Sequence, residues 1–183
     1  MQHRMMNPIG IAVIALMTLF ASACSTMKID NIPVTDQTFL VEQYFQGKTR
    51  AHGIVMDRGG APMRYFEVQI EGSWDEQTQT LTLDEDFVFD DGEISNRIWQ
   101  IKREADGRYS GQAADVEGIA TGSSRGNALN WNYTLNIPYK GKTLGVQLDD
   151  WMYLQNDVLI NRAVMRKFGF RVGEILITFD HHT

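Results

Sequence analysis

The 183-residue chain has one cysteine, Cys24, and that scarcity excludes several kinds of chemistry. No intramolecular disulfide can form, even in an oxidising compartment, so the fold has to rest on packing alone. Transition-metal sites lack ligands as well: of four histidines, two form the terminal pair His181 and His182, and only His52 lies well inside the chain. Positive charge is in short supply, with 17 Lys and Arg against 23 Asp and Glu and a net charge of −6. That balance argues against binding nucleic acid or anionic head groups through a general positive field. A second long apolar run is missing too. After residues 9–20 no stretch is long enough to cross a bilayer, so the mature chain is expected to be soluble apart from any anchor.

What the N-terminus does contain is an address. Arg4 precedes the apolar residues 9–20, and Ala21-Ser22-Ala23 leads directly to Cys24. A basic start, a short apolar core and small residues ending at a cysteine form a lipobox, the mark of a lipoprotein signal peptide. The small side chains fit a signal peptidase cleft, and the thiol would take the lipid and become the new N-terminus. The alternatives are an ordinary secretory signal with an accidental cysteine, or a single membrane anchor. The reading divides the chain into a signal peptide at 1–23 with its helix, an acylated Cys24 with a tether at 24–37, and one domain at 38–183. Loss of Arg4 on cleavage moves the net charge to about −7. Diacylglycerol and a further acyl chain such as palmitate would hold the protein firmly, since two or more chains anchor where one is marginal. Ser25, where an aspartate favours inner-membrane retention, points to the periplasmic face of the outer membrane.

Beyond the tether the chain alternates with a period of two. Phe66, Val68 and Ile70 alternate with polar residues, as do Leu81 and Leu83, then Leu129, Trp131, Tyr133, Leu135 and Ile137, and then Leu144, Val146 and Leu148. Turn signals separate the runs: Arg58-Gly59-Gly60, Asp75-Glu76-Gln77, Asp90-Asp91-Gly92, Asp106-Gly107, Ser124-Arg125-Gly126-Asn127, Lys140-Gly141 and Asn156-Asp157. About eight to ten strands with short loops follow. Residues 38–46 fit either a short helix or an opening strand. A meander with one wet and one dry face hides its edges by closing, so the predicted fold is all-β, an antiparallel up-and-down barrel. A barrel of that size is either filled by side chains or holds one small ligand.

Catalytic motifs fail on context. Gly122-Ser123-Ser124-Arg125-Gly126 matches the G-x-S-x-G nucleophile elbow, with aspartates and then histidines downstream. The elbow needs a helix after the serine, whereas residues from Asn127 alternate as a strand. A serine hydrolase using Ser124 is therefore the remote alternative. Gly47-Lys48-Thr49 and Gly141-Lys142-Thr143 imitate the end of a phosphate loop, but Glu42 and Asn136 stand where its first glycine belongs. Asp84-Glu85-Asp86 and Asp90-Asp91-Gly92-Glu93 lack the EF-hand spacing and read as hairpin chemistry. No cofactor or metal is expected.

Charges among apolar strand residues leave more to explain. Arg97 and Trp99 share a strand face, as do Trp131 and Tyr133, while Arg162 alternates with Asn161 and Ala163. The five residues Arg97, Trp99, Trp131, Tyr133 and Arg162 are candidates for one interior or barrel-mouth cluster. Buried guanidiniums there would need Asp149, Asp150 or Glu174, or an anionic ligand head group. The competing reading places the arginines on the solvent face.

Three strings carry a family resemblance: Asp90-Asp91-Gly92-Glu93 with Arg97 and Trp99; Asp115-Val116-Glu117-Gly118-Ile119-Ala120-Thr121-Gly122 with Trp131-Asn132-Tyr133; and Asp149-Asp150-Trp151-Met152 with Asn161-Arg162 and Lys167-Phe168-Gly169. Over residues 39–179 the chain resembles the Gram-negative lipoproteins of domain of unknown function 3833, whose members look like lipocalin-type, or calycin, barrels. The resemblance implies a barrel and carries over no catalytic residue. Where lipocalins have Gly-x-Trp, this chain has Gly47-Lys48-Thr49. The expectation is a non-enzymatic, membrane-anchored lipoprotein that binds or shuttles a fatty acid or other lipid. The alternative is a structural or partner-binding lipoprotein with a filled barrel.

Overall fold

The computed structural model describes residues 27–139 and 141–181. The signal segment, Cys24 and Ser25 fall outside the described residues. Ten strands follow one another: β1 (Gly47–Asp57), β2 (Pro62–Asp75), β3 (Thr80–Phe89), β4 (Ile94–Arg103), β5 (Arg108–Gln112), β6 (Val116–Arg125), β7 (Ala128–Tyr139), β8 (Lys142–Gln155), β9 (Val158–Lys167) and β10 (Phe170–His181). Each pairs antiparallel with its predecessor, and β10 pairs with β1 from Thr49↔His181 to Asp57↔Gly173, closing the barrel. Closure leaves no full-length edge strand to recruit another chain.

The alternation in sequence becomes the inside and outside of this wall. Ala51, Val68, Leu83, Trp99, Leu129, Leu148, Leu159 and Phe179 point inward and are buried. The tight turns sit where glycine and aspartate pairs predict them. At Asp90-Asp91-Gly92 the Asp91 carboxylate accepts from the Glu93 amide at 3.1 Å, and Gly92 takes a φ of 86°. Two hairpins carry no such signal. The β9–β10 turn uses Phe168 at a φ of 51° before Gly169, and β5 turns into β6 through residues 113–115.

One end of the barrel is plugged. Residues 38–46 contain a one-turn helix, α1 (Val41–Tyr44), lying across the strand ends. Phe39, Val41, Tyr44 and Phe45 are buried there; the Phe45 ring meets Phe179 edge-on at 5.4 Å, and Tyr44 Oη donates to the Phe179 carbonyl at 3.0 Å. Gly72 makes room for the plug, since a Cβ there would lie 1.7 Å from the Phe45 carbonyl oxygen. Glu42, 4% exposed, accepts from Tyr109 Oη at 2.9 Å and lies 2.8 Å from Arg103. The plug is thus pinned by packing and by charge.

The segment read as a tether is docked on the wall beside that end. Ile32 is buried against Ala128 and Trp151, and Arg125 Nε donates to the Ile32 carbonyl at 2.9 Å. The amide of Phe39 donates to the Gly126 carbonyl at 2.8 Å as the chain enters the plug. A polar composition hid this strap, because two isoleucines seat it: Ile29 and Ile32.

Strand β5 is short. It pairs with β4 only from Gln100↔Gln112 to Arg103↔Tyr109, so residues 94–99 of β4 run past it. The wall therefore has a notch above β5, and the 113–115 turn lies beside it.

Candidate functional site

Away from the plug, the inward face changes character. Phe87, Phe89, Leu135, Ile137, Leu144, Met165 and Ile175 all point into the lumen yet are only half buried. Inward side chains keep water contact only where the lumen is open. Phe87 and Phe89 stack at 6.0 Å, and the Arg64 guanidinium lies 3.6 Å over the Phe89 ring in a cation–π contact.

Beneath this apolar rim lies a charged floor. On β4, Arg97 points inward at the height of the notch. Its Nε donates to Asp115 Oδ2 at 2.9 Å, its Nη2 lies 2.8 Å from the same oxygen, and Nη1 lies 3.8 Å from Glu85 on β3. The ion pair with Asp115 spans the notch that β5 leaves. The side chains of Arg97 and Glu85 remain 21% and 13% exposed, so water reaches the floor. Deeper, Asp150 on β8 accepts from the Asn161 amide of β9. Asp150 is 5% exposed and Asn161 1%, and the Asn161 Oδ1 has no hydrogen-bond partner.

The electrostatics follow from burial. Removal from water pushes the Glu85 carboxyl up to about 7, against the attraction of Arg97 and with Asp115, Asp150 and Asp84 adding to the rise. Burial likewise lifts Asp150 to about 7; the Asn161 hydrogen bond opposes this and Asp149 adds to it. Tyr133 is raised by burial first and then by Asp150. Burial alone would lower Arg97, but Glu85 leads the charges that raise it.

Three of the five candidate cluster residues meet directly. The Trp99 ring lies 5.8 Å from Trp131 and 5.4 Å from Tyr133, both edge-to-face. These rings come from β4 and β7 and meet over the two strands between them, β5 and β6. Glycines explain how Trp131 fits: a Cβ on Gly122 would lie 2.3 Å from its ring, and one on Gly111 2.8 Å. Arg97 joins the group from β4, one pleat from Trp99. Arg162 does not. It stands on the outer face, 53% exposed, where its Nη2 lies 2.8 Å from Glu174; Arg171 pairs with the same carboxylate at 2.7 Å. The Arg162 hydrogen bonds hold Glu174 below the usual carboxylate range. Arg162 alternates with the inward Asn161 and Ala163, which fixes it outside.

Ser124 sits at the end of β6, its hydroxyl donating to the Gly107 carbonyl at 3.2 Å. Strand β7 follows from Ala128, which is hairpin geometry and not an elbow. Among the described residues no group of three or more His, Cys, Asp and Glu side chains is arranged to hold a metal ion.

Sequence reasoning named Arg97, Trp99, Trp131 and Tyr133 but missed Glu85, Asp115 and Asn161 as their neighbours. Glu85 and Asn161 had a legible signal: each is polar yet in phase with buried apolar residues, Leu81 and Leu83 for one and Leu159 and Ala163 for the other. Asp115, in a turn, had none.

The site therefore belongs to a closed ten-stranded antiparallel barrel, plugged at one end, with an apolar rim and an ionisable floor toward the other. Residues 18–181 match the model of a protein family of unknown function, DUF3833, and the chain belongs to that family. Comparison with curated proteins returns no match.

Proposed function

We propose that this is a lipid-anchored envelope lipoprotein, held by Cys24 at the periplasmic face of the outer membrane, whose barrel takes up a small amphipathic molecule. The observation that carries the reading is the asymmetry of the lumen. One end is sealed by Phe39, Tyr44 and Phe45, while toward the other Phe87, Phe89, Leu135 and Leu144 face inward and stay half exposed above charged groups. An apolar wall over a few convergent polar groups is the usual make-up of a ligand site. The family resemblance supports the envelope address, and the lipobox supports the anchor. Mass spectrometry of organic extracts, from protein purified without detergent, tests the idea. A stoichiometric amphiphile is expected, and clean protein that also takes up no added amphiphile would refute it.

One observation favours a second reading. The rings of Trp99, Trp131 and Tyr133 pack edge-to-face inside the barrel, as the core of a structural barrel working through its surface would. The same extraction separates the two.

A further inference from the structure

The floor of the lumen has a sign. Among the described residues Arg97 supplies the cation at this depth, and Asp115 already engages that guanidinium through two of its nitrogens. Glu85 stands 3.8 Å away, beyond hydrogen-bond distance, and Asp150 has only the Asn161 amide. Asn161 in turn keeps a buried oxygen without a donor. Inside a wall of Trp99, Trp131, Leu148 and Ala163, Glu85 thus has only a long ion pair with Arg97, Asp150 a single amide donor, and the Asn161 oxygen no donor at all. A buried carboxylate with so little compensation is unfavourable, and a proton or a further cation relieves it.

We propose that Glu85, Asp150 and Asn161, beside the Trp99–Trp131–Tyr133 rings, bind the cationic head of an amphipathic molecule, an ammonium above all, and discriminate against a carboxylate. Three features converge on it. The acceptors need a positive or donating group. The faces of indole and phenol rings attract ammonium groups. A fatty-acid carboxylate at this depth would need a free cation; Arg97 is committed to Asp115, and Arg64, up at the rim, pairs with Asp91 and Glu93. The apolar rim of Phe87, Phe89, Leu135 and Leu144 would take the chain. This assignment rests on the amphiphile reading above and names its head group.

The charge balance also sets a pH dependence. The groups facing the site are Glu85 from β3, Arg97 from β4, Asp115 from the β5–β6 turn, Tyr133 from β7, Asp150 from β8 and Asn161 from β9, with Asp84 and Asp149 acting from the outer face. Burial holds Glu85 and Asp150 near 7, so both gain protons as pH falls below that value. An ammonium needs them ionised and loses affinity on acidification, whereas a carboxylate is repelled less.

The test is calorimetric titration of mature chain 24–183, carrying Cys24→Ser so that no acyl chain competes. It keeps every described strand of the closed barrel. The probes are dodecyltrimethylammonium and dodecanoate, which share a tail, both below their micelle concentrations. At pH 8 the ammonium should bind at least about tenfold tighter, the worth of one modest charge interaction. That advantage should shrink severalfold by pH 5.5, and Glu85→Gln with Asp150→Asn should abolish it. Equal affinities, or a preference for dodecanoate, would overturn the head-group assignment and leave the amphiphile reading standing. Failure of both probes to bind would sink both. Should the double variant not fold, the wild-type pH series decides alone, and an advantage constant from pH 5.5 to 8 would refute the site.

Discussion

Replacing Asp150 by asparagine should make the protein more stable at pH 8 and leave it nearly unchanged at pH 4. Asp150 is 5% exposed, and its side chain has one hydrogen-bond partner, Asn161. Burial raises its pKa from 3.8 to about 7. Because the folded value lies above the unfolded one, folding favours the protonated acid. That stability is fully present below about 4 and is lost as pH rises to about 7. At roughly 1.4 kcal/mol per tenfold change the rise corresponds to ~4 kcal/mol, and relaxation and water penetration in real interiors bring the expected gain to about 2–4 kcal/mol. An asparagine keeps the shape, carries no charge at any pH and offers an N–H to the unpartnered Asn161 oxygen. For a domain of this size the gain at pH 8 is worth roughly 5–10 °C in Tm. Urea unfolding of the mature chain at pH 4, 6 and 8, followed by tryptophan fluorescence, measures it. A variant no more stable than wild type at pH 8, or one showing the same gap at every pH, would refute the argument that Asp150 is buried and underpaired.

Four further outcomes are expected. Cys24→Ser should abolish metabolic palmitate labelling and release the protein from the membrane fraction, and equal labelling of both forms would end the lipoprotein reading. Arg97→Leu leaves Asp115 and Glu85 without their guanidinium and should cost about 3 kcal/mol, whereas Arg162→Leu leaves Glu174 paired with Arg171 and should cost under about 1 kcal/mol; denaturant titration ranks the two, and a reversed order would misplace both residues. Gly122→Ala drives a methyl to 2.3 Å from the Trp131 ring and should cost about 1–3 kcal/mol with a shifted emission spectrum; an unaltered spectrum would mean the ring lies elsewhere. Any hydrolysis of a chromogenic ester should persist in Ser124→Ala, and its loss with the fold intact would restore the nucleophile reading.

The barrel was legible because each strand mixes one strongly apolar face with one polar face, and short turns force neighbours to pair antiparallel. The seven turn signals missed the hairpins at 113–115 and at Phe168-Gly169, since alanines and a phenylalanine carry little turn preference. Arg162 shows the limit of periodicity. On β9 the inward set is Asn161, Ala163 and Met165, and the outward set Ile160, Arg162 and Val164. Each set has one polar and two apolar members, so only pairing with β8 and β10 decides which faces in. The charged floor was half legible for the same reason. Glu85 reads with Asp84 and Asp86 as an acidic run, although its phase with Leu81 and Leu83 sets it apart from them. The docked strap at Ile29 and Ile32 was invisible, because two isoleucines make no period.

If Cys24 carries the proposed anchor, the strap has a consequence for which way the barrel would face. Tyr153 Oη reaches Met27 Sδ at 3.7 Å, close to the β8–β9 turn at the plugged end. Only three residue steps separate Met27 from Cys24, a reach of at most about 11 Å. Acyl chains on Cys24 would therefore hold the sealed end against the head groups, with the rim of Phe87 and Phe89 roughly 25–30 Å above them, the height of strands this long. A mouth so oriented would not dip into the bilayer holding that anchor. Cargo would be handed over on the aqueous side, to a soluble carrier or a facing complex, and lengthening the strap with a flexible insert before Met27 would turn a fixed heading into a free swivel.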